Sequence, residues 1–262
     1  MKITHPNKQK EWFIQKLHGL LYKLENTGNS DFKRNGEATF IKNISQFYFD
    51  KDFVFFDIGA NQGEYTEMIL DDSPKKISAY LFEPQKSCVA LLTKKFSGNE
   101  SILINNFGLS DKDESVTLYK NTEQSGLASV YKRDLDYYQI DMNITETIQL
   151  KTGAKYVQEK NVSKINLLKV DVEGHEMKVF EGFGDFLNPS NIDFIQFEYG
   201  GANLDSHSSL LEIHNLLTRK GFMLCKIMHS SLEVRPYHPR LENFMYQNWV
   251  AVNPQIIESV TG

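Results

Sequence analysis

The sequence predicts a three-layer α/β fold built around a largely parallel sheet, and three observations carry this prediction. Short apolar runs alternate with amphipathic segments from residue 53 to residue 252. Glycines follow the first apolar run in a strand–turn–helix pattern. The run at 164–172 is continuously apolar, as in the middle of a parallel sheet. In such folds ligands bind at the carboxyl ends of the strands, so we expect a site there.

The chain begins with an amphipathic helix at residues 8–25, whose leucines share one face while lysines and glutamates lie opposite. We expect this helix to cap the main domain, and a membrane-surface helix is the alternative. A loop rich in Asn, Gly and Ser follows at residues 27–37. The sequence predicts an N-terminal helical extension over residues 1–45 and one domain over residues 46–262.

Within that domain, residue patterns assign the elements in order. Extended, apolar segments predict strands at 53–58, 77–83, 101–107, 115–119, 145–152, 164–172, 191–199, 222–228 and 244–252. Helical periodicity, with Pro84 opening one helix and Gly221 closing another, predicts helices at 63–71, 84–96, 153–161, 175–183 and 208–221. Residues 121–143 show no clear period and are predicted to form a long functional loop.

Composition narrows the classes of protein to consider. The formal charge of −5 argues against nucleic acid as the main partner, because phosphate contacts need clustered lysine and arginine. No apolar run approaches the roughly 20 residues of a membrane span, and the first residues lack a secretory h-region. We therefore expect a cytoplasmic protein whose two cysteines, Cys88 and Cys225, are free thiols.

The first strand–turn–helix, FVFFDIGANQGEYT, is the most informative stretch. Its strand runs into Asp57, and Gly59 and Gly63 frame a tight turn that lets the backbone pass close to a ligand. The spacing is not G-x-G-x-x-G, since the residue two after Gly59 is Asn61. An acid before the first glycine suits a cationic or amine-bearing ligand better than a pyrophosphate.

The second predicted strand ends at Glu83, which lies 20 residues after Gly63. An acid at this distance usually pairs with the ribose hydroxyls of an adenosine cofactor. Asp57 and Glu83, at the ends of successive strands, together favour a nucleoside cofactor such as S-adenosylmethionine (SAM).

In this order along the chain, several segments resemble the FkbM family of SAM-dependent methyltransferases: DIGANQGEYT, LFEP, NFGLSDKDESVTLY, INLLKVDVEGHEMKVFEGF and FIQFEYGG. The resemblance covers about residues 36–253. It implies the Rossmann-like, seven-stranded class I methyltransferase sheet with its final strand antiparallel. It also implies SAM as cofactor and methylation of a hydroxyl, as on polyketides or sugars. The chain departs from the family at residues 152–155, where Thr-Gly-Ala-Lys replaces a frequent Thr-Leu-Asp-Asp.

The resemblance also implies which residues surround the cofactor. It puts Asp57, Gly59, Asn61 and Gly63 around the methionyl end of SAM and Glu83 on the ribose. Adenine contacts are expected after the third strand, from Asn106, Gly108, Leu109 and Ser110. Ser125 and Ser129, in the loop SGLAS, could line the cofactor or the substrate.

The octapeptide KVDVEGHE, residues 169–176, supplies the candidate catalytic groups. In a strand Asp171 and Glu173 point the same way, so both would face the cleft opposite the first strand. Asp171 is predicted to remove the acceptor's proton and to form a wall of the cofactor cleft, with His175 the alternative base. Glu173 is predicted to organise the site by holding loop N–H groups or a basic side chain. Glu176 suits the positive end of the following helix.

Glu198 and His207, at and after a later strand, are the candidate acceptor contacts. With Asp171 and Glu173 they could also offer ligands to a divalent cation, but no local spacing specifies a metal and none is predicted.

We predict a SAM-dependent O-methyltransferase that acts on a hydroxyl of a sugar, glycan precursor or related small metabolite. The alternatives are a methyltransferase for another acceptor atom and a non-catalytic SAM-fold binding module. A nicotinamide-dependent reductase is a weaker hypothesis, because Tyr156 and Lys160 have its Tyr-x-x-x-Lys spacing but lie before a strand. The amphipathic start of the chain could pack against another subunit.

Overall fold

A mostly parallel sheet forms the centre of the protein, as seen in a computed structural model that describes residues 7–71 and 74–260. The strands are β1 (Asp52–Ile58), β2 (Lys76–Phe82), β3 (Ile102–Asn105), β4 (Gly108–Ser110), β5 (Glu114–Lys120), β6 (Ile144–Thr152), β7 (Ile165–Val170), β8 (Ile192–Tyr199), β9 (Met223–Ile227), β10 (Leu232–Val234) and β11 (Gln247–Val252). The helices are α1 (Lys8–Leu24), α2 (Glu37–Phe47), α3 (Glu64–Asp71), α4 (Lys86–Lys95), α5 (Gly153–Glu159), α6 (Glu176–Gly182), α7 (Ala202–Ser206), α8 (Leu210–Arg219) and α9 (Pro254–Val260).

The main sheet has the strand order β10-β9-β11-β8-β7-β1-β2-β3. The strand β11 runs antiparallel to both of its neighbours, β8 and β9, while β3, β2, β1, β7 and β8 run parallel to one another. The predicted seven-stranded sheet with an antiparallel last strand is therefore confirmed. The short strand β10 extends it at one edge by pairing with β9.

Two buried clusters sandwich this sheet, because alternate residues of each strand face opposite sides. In β1, Phe53 and Phe55 belong to one cluster, and Phe56 and Ile58 belong to the other. All six residues of β7 are buried, as expected for a strand in the middle of a parallel sheet. The strand β7 pairs with β1 in parallel, and Val170 lies opposite Ile58, so the carboxyl ends of the two strands are side by side.

A second sheet of three strands, in the order β4-β6-β5, lies beside those carboxyl ends. The predicted strand at 101–107 is interrupted, because β3 ends at Asn105 and β4 begins at Gly108. The long loop then starts along β5, where Ser129 exchanges both backbone hydrogen bonds with Tyr119. The loop is thereby drawn over the end of the main sheet.

The N-terminal part of the chain differs from its prediction in two ways. The helix α1 forms, but it contains no buried residue, so the expectation that its apolar face caps the main domain is wrong. The helix α2, which the sequence did not reveal, buries Phe40, Ile41 and Ile44 against the main sheet. The domain boundary at residue 45 stays a prediction. Among the described residues no helix is both long and apolar enough to cross a membrane.

Candidate functional site

The turn after β1 packs directly against the end of β7. Gly59 has a φ of +83°, and a Cβ atom there would overlap the carbonyl oxygen of Asp171. Only glycine combines this backbone conformation with so close an approach. Gly63, with a φ of +79°, instead packs against Leu92 and Phe96 of the helix-α4 region and faces neither cleft described below.

Glu83, just after β2, is held by the same turn. Its Oε2 accepts the backbone N–H of Asn61 at 2.8 Å, and its Oε1 accepts that of Gln85 at 2.7 Å. Burial raises the pKa of Glu83 to about 7, even though both of these hydrogen bonds favour the carboxylate. The carboxyl group is therefore fixed in orientation and poised to change its charge near neutral pH.

Glu83 lines a first cleft, which lies between the turn after β1 and the three-stranded sheet. The wall opposite Glu83 is apolar and comes mainly from Leu109, Leu118, Ile148 and Leu150. Of the predicted cofactor residues, Gly59, Asn61, Glu83, Gly108, Leu109 and Asp171 line this cleft, and so does the predicted substrate residue Ser125.

A second cleft, of about 330 Å³, opens on the other side of the turn. Its polar lining includes Glu37, Tyr65, Lys169 and Tyr246. Both clefts are bordered by Gly59, Asn61, Gly126 and Asp171, so they adjoin at the carboxyl ends of β1 and β7. Asp171 thus stands at their junction.

Asp171 is paired with a buried lysine. Lys169 Nζ lies 2.9 Å from Asp171 Oδ2 and 4.0 Å from Asp57 Oδ1, and it stands 5.0 Å from the centre of the Tyr65 ring. Burial alone would lower the pKa of Lys169, but the carboxylates of Asp171 and Asp57 outweigh it and raise that pKa. Lys169 therefore remains a cation beside the carboxyl group of Asp171.

Asp57 itself is fully buried behind the turn and lines neither cleft. Its Oδ2 accepts a hydrogen bond from Thr66 Oγ1 at 2.6 Å. Burial raises the pKa of Asp57, and the charge of Lys169 opposes that rise. Asp57 thus connects β1 to α3 by a hydrogen bond and to Lys169 by charge, beneath the two clefts.

Glu173 lies beyond the end of β7, because the strand stops at Val170 and Glu173 adopts a φ of +51°. Its carboxylate is 2.5 Å from Arg133 Nη1, and Arg133 Nε also contacts Asp205 Oδ2 at 3.2 Å. Ser129 Oγ donates to the Glu173 carbonyl at 2.8 Å. These contacts tie the long loop to the turn that carries Asp171.

His175 bonds to a hydroxyl at each ring nitrogen. Nε2 lies 2.9 Å from Ser110 Oγ, and Nδ1 lies 3.1 Å from Tyr131 Oη. Burial lowers the pKa of His175 to about 4, so the ring is neutral near pH 7. A neutral ring with both nitrogens engaged is better suited to positioning the cleft wall than to accepting a proton.

Glu176 folds back over the turn that precedes its own helix. Its Oε1 accepts the N–H groups of Val172 at 3.2 Å and Gly174 at 3.1 Å. Burial raises the pKa of Glu176 to about 7. Through its two hydrogen bonds Glu176 holds the turn that carries Glu173, and it also occupies the first position of helix α6.

The remaining predicted residues lie at different distances from the clefts. Glu198, one residue before the end of β8, lies beside Asp171 but lines neither cleft, and its pKa is raised by burial and by Asp171. Asn106 donates its amide to the carbonyls of Glu83 and Pro84 at 3.1 and 3.0 Å. His207 is exposed after α7 and lines neither cleft. In the described part of the chain, no group of three or more His, Cys, Asp or Glu is placed to hold a metal.

Sequence reasoning missed a polar network on the wall of the second cleft. Glu37 lies at the start of α2, which was not predicted. Its carboxyl group accepts hydrogen bonds from Gln196 Nε2 at 2.6 Å and from Tyr246 Oη at 3.3 Å. Tyr65 Oη in turn donates to Gln196 Oε1. Lys169 could have been found, since two-residue alternation puts it on the same face of the strand as Asp171. No local pattern signals the contacts of Glu37 or Arg133.

Known proteins match the chain over most of this region. The family model described as "Methyltransferase FkbM domain" matches residues 57–224, which confirms the resemblance inferred from the motifs. The hexuronic acid methyltransferase AglP of Haloferax volcanii is 26% identical over 152 residues, covering 58% of each chain. "Methyltransferase 1" of Beauveria bassiana is 26% identical over 189 residues, which are 66% of this chain and 74% of that protein.

Among solved structures, methyltransferase FkbM of Methylobacillus flagellatus aligns with a TM-score of 0.47 and 12% identity. The alignment covers 92% of this chain and 60% of that one. The chain thus spans about three fifths of the length of both the Haloferax and the Methylobacillus proteins.

Proposed function

Because the chain belongs to the FkbM methyltransferase family, we propose that it transfers a methyl group from SAM to a hydroxyl of a sugar, glycan precursor or related small metabolite. One observation carries the proposal. The carboxylate of Asp171 stands where the first cleft, suited to a nucleoside, adjoins a polar second cleft. An acceptor hydroxyl in the second cleft would therefore meet a proton acceptor beside the methyl donor.

The residues of the first cleft fit SAM. Glu83 offers a fixed carboxylate to two ribose hydroxyls, and the apolar side chains of Leu109, Leu118 and Ile148 offer a surface for a purine. Asp57 Oδ1 is buried, accepts no hydrogen bond from another described residue and lies 4.0 Å from Lys169 Nζ beneath the site. Bound SAM supplies a cationic sulfonium with a transferable methyl group. The carboxylate of Asp171, which lines this cleft, therefore complements the positive charge of the sulfonium.

The chain's own part in methyl transfer is to orient the acceptor and to take its proton. A neutral alcohol becomes a better nucleophile when a carboxylate within hydrogen-bond reach accepts the departing proton. Asp171 is 35% exposed at its side chain, so it can contact an acceptor, while Lys169 keeps it from rotating away. Tyr65 and Tyr246 provide ring surface and hydroxyl groups for a polar acceptor.

The charge of the second cleft favours an acceptor without a carboxylate. Glu37 and Asp171 line it, and the cation Lys169 is already engaged by Asp171. A uronate would bring a further negative charge against these groups. We therefore propose a neutral saccharide hydroxyl as acceptor, although the Haloferax relative is named for hexuronic acid.

The same acids support a second candidate, methylation of an amine. An ammonium or amine group in the second cleft would find the carboxyl groups of Asp171 and Glu37 on its lining. Amino sugars and neutral sugars thus form the two acceptor classes to compare.

The test is a panel of neutral, amino and uronate glycosides incubated with protein and SAM. Release of S-adenosylhomocysteine and a mass gain of one methyl group on the acceptor are measured. We expect turnover of a neutral glycoside and at least about tenfold lower kcat/KM for the matched uronate, the effect of about 1.4 kcal/mol of repulsion. Turnover confined to amino sugars would replace hydroxyl by amine methylation. Tight SAM binding with no turnover across a broad panel would favour a non-catalytic role.

A further inference from the structure

The helix α1 exposes a continuous apolar stripe. The stripe consists of residues spaced three or four apart, which share one face of a helix: Phe13, Leu17, Leu20, Leu21 and Leu24. Their exposed fractions run from 44% for Leu17 to 65% for Leu24. Burying one such side chain is worth about 1.5–3 kcal/mol, so a stripe of five is a strong candidate for an interface.

The other side of α1 faces its own chain. Gly19, Tyr22 and Lys23 line a cavity together with Met245. Just after the helix, Asn26 donates its amide to the carbonyl of Ile227 at 2.9 Å. The helix is thus anchored by its polar side, and the stripe points away from the body.

An apolar groove lies close to this anchor. It has a volume of about 230 Å³, runs between α2 and the β10 edge, and is lined chiefly by Phe40, Ile44, Phe47, Phe194 and Leu232. Asn26 also donates to the carbonyl of Asn35 at 2.6 Å, and the next residue, Gly36, borders the groove. The C-terminal end of the stripe, at Leu24, is therefore linked to the edge of the groove through Asn26 and Asn35. A two-fold dimer uses the same surface of both copies, so it needs complementary features side by side.

Charge points to a second copy of the chain as the occupant. Residues 8–24 contain four lysines and one glutamate, a net charge of +3, whereas the whole chain carries −5. The rest of the chain therefore has a net charge of −8. A basic helix is attracted to an acidic body, and its apolar face supplies the contact once the two have met.

We propose that the protein forms a two-fold symmetric dimer in which α1 of each copy lays its stripe into the groove of the other. An amphipathic helix in an apolar groove is a recurrent mode of recognition. The arrangement buries both features at once, and it leaves the two clefts of the methyltransferase site outside the helix–groove contact.

The test measures the mass of the full-length protein in solution by light scattering during gel filtration. One chain has a mass of 30.2 kDa, and we expect the wild type at twice that value. Leu17→Glu places a charge in the stripe, and Asn43→Lys places one at the rim of the groove; both side chains are exposed, so the fold should be retained. Each variant should elute at the single-chain mass. The matched controls Gln15→Glu and Gln46→Lys, which lie on the same helices outside the stripe and groove, should remain dimeric.

Mixing the two defective variants separates this arrangement from helix–helix pairing. The groove of Leu17→Glu and the helix of Asn43→Lys are both intact, so an equimolar mixture should recover dimers through one helix–groove contact. A wild type that stays at the single-chain mass at high concentration would overturn the proposal. So would a dimer that Leu17→Glu leaves intact, or one broken by Leu17→Glu but not by Asn43→Lys. Binding of a monomeric wild type to vesicles of phosphatidylcholine and phosphatidylglycerol, lost in Leu17→Glu, would assign the stripe to a membrane surface instead.

Discussion

Replacing Glu83 with glutamine should weaken SAM binding and abolish its dependence on pH. Both carboxylate oxygens of Glu83 already accept backbone N–H groups, from Asn61 and Gln85. A glutamine must therefore turn its NH₂ group toward one of these donors, and it keeps a single neutral oxygen for the ribose. Hydrogen bonds to a charged acceptor are worth about 1.5–3 kcal/mol, so losing one predicts a roughly 10- to 100-fold rise in Kd.

The pH dependence follows from the pKa of Glu83, which burial raises to about 7. Below pH 7 the free protein carries a protonated Glu83, whereas ribose hydroxyls bind best to the carboxylate. Binding must then release the proton, so SAM affinity falls as the pH falls. With full ionisation in the complex, linkage gives a roughly tenfold higher Kd at pH 6 than at pH 8 and release of about 0.9 proton per SAM at pH 6.

Isothermal titration calorimetry in buffers of different ionisation enthalpy measures both the Kd and the protons released. Glu100→Gln is the matched control, because Glu100 is exposed in a loop and lines neither cleft. It should bind SAM like the wild type at both pH values. A Glu83→Gln variant within twofold of the wild-type Kd at pH 8 would refute the ribose contact. A wild-type Kd that is flat between pH 6 and pH 8 would refute the charge change at Glu83.

Two further predictions concern the turn and the base. Asp171→Asn should lower turnover by about 100-fold or more, because it removes the general base. The Kd for SAM measured by calorimetry should stay within a few-fold of the wild-type value. Unchanged turnover would show that Asp171 is not the base. Gly59→Ala should lose SAM binding and destabilise the fold in thermal unfolding, because its Cβ overlaps the Asp171 carbonyl. Gly98→Ala has a similar φ of +80° but no atom within 4 Å of the added Cβ, so it should cost only about 1–2 kcal/mol and bind SAM normally. Equal effects of the two alanines would mean that close approach at Gly59 does not matter.

Much of the candidate cofactor cleft could be predicted because its signals are local. The strand β1, the positive-φ glycine after it and the acid after β2 follow from short patterns of residue type, and the parallel sheet then brings their ends together. The same holds for KVDVEGHE, whose position after an apolar strand places Asp171 beside the turn at Gly59.

The partners of these residues could not be predicted in the same way. The contact of Glu173 with Arg133 joins residues 40 positions apart, and Glu37 meets Gln196 across 159 positions. Such pairings depend on how the long loop and α2 pack on the sheet, and no local pattern names the distant residue that each side chain will meet. His175 illustrates the consequence, since its spacing suits a base while its two hydroxyl partners and burial make it a neutral wall residue.

By itself, then, the sequence determined the mostly parallel sheet, the family of the protein and the set of acids at the strand ends. It could do so because strand alternation and turn glycines depend only on residues that are close together in the chain. Only the tertiary structure decided which acid is paired with Lys169, that Glu37 joins the second cleft, and that the apolar stripe of α1 faces outward. These outcomes depend on packing between segments that are distant in the chain. Side-chain volume and charge there decide which of several packing arrangements, all compatible with the local sequence pattern, is adopted.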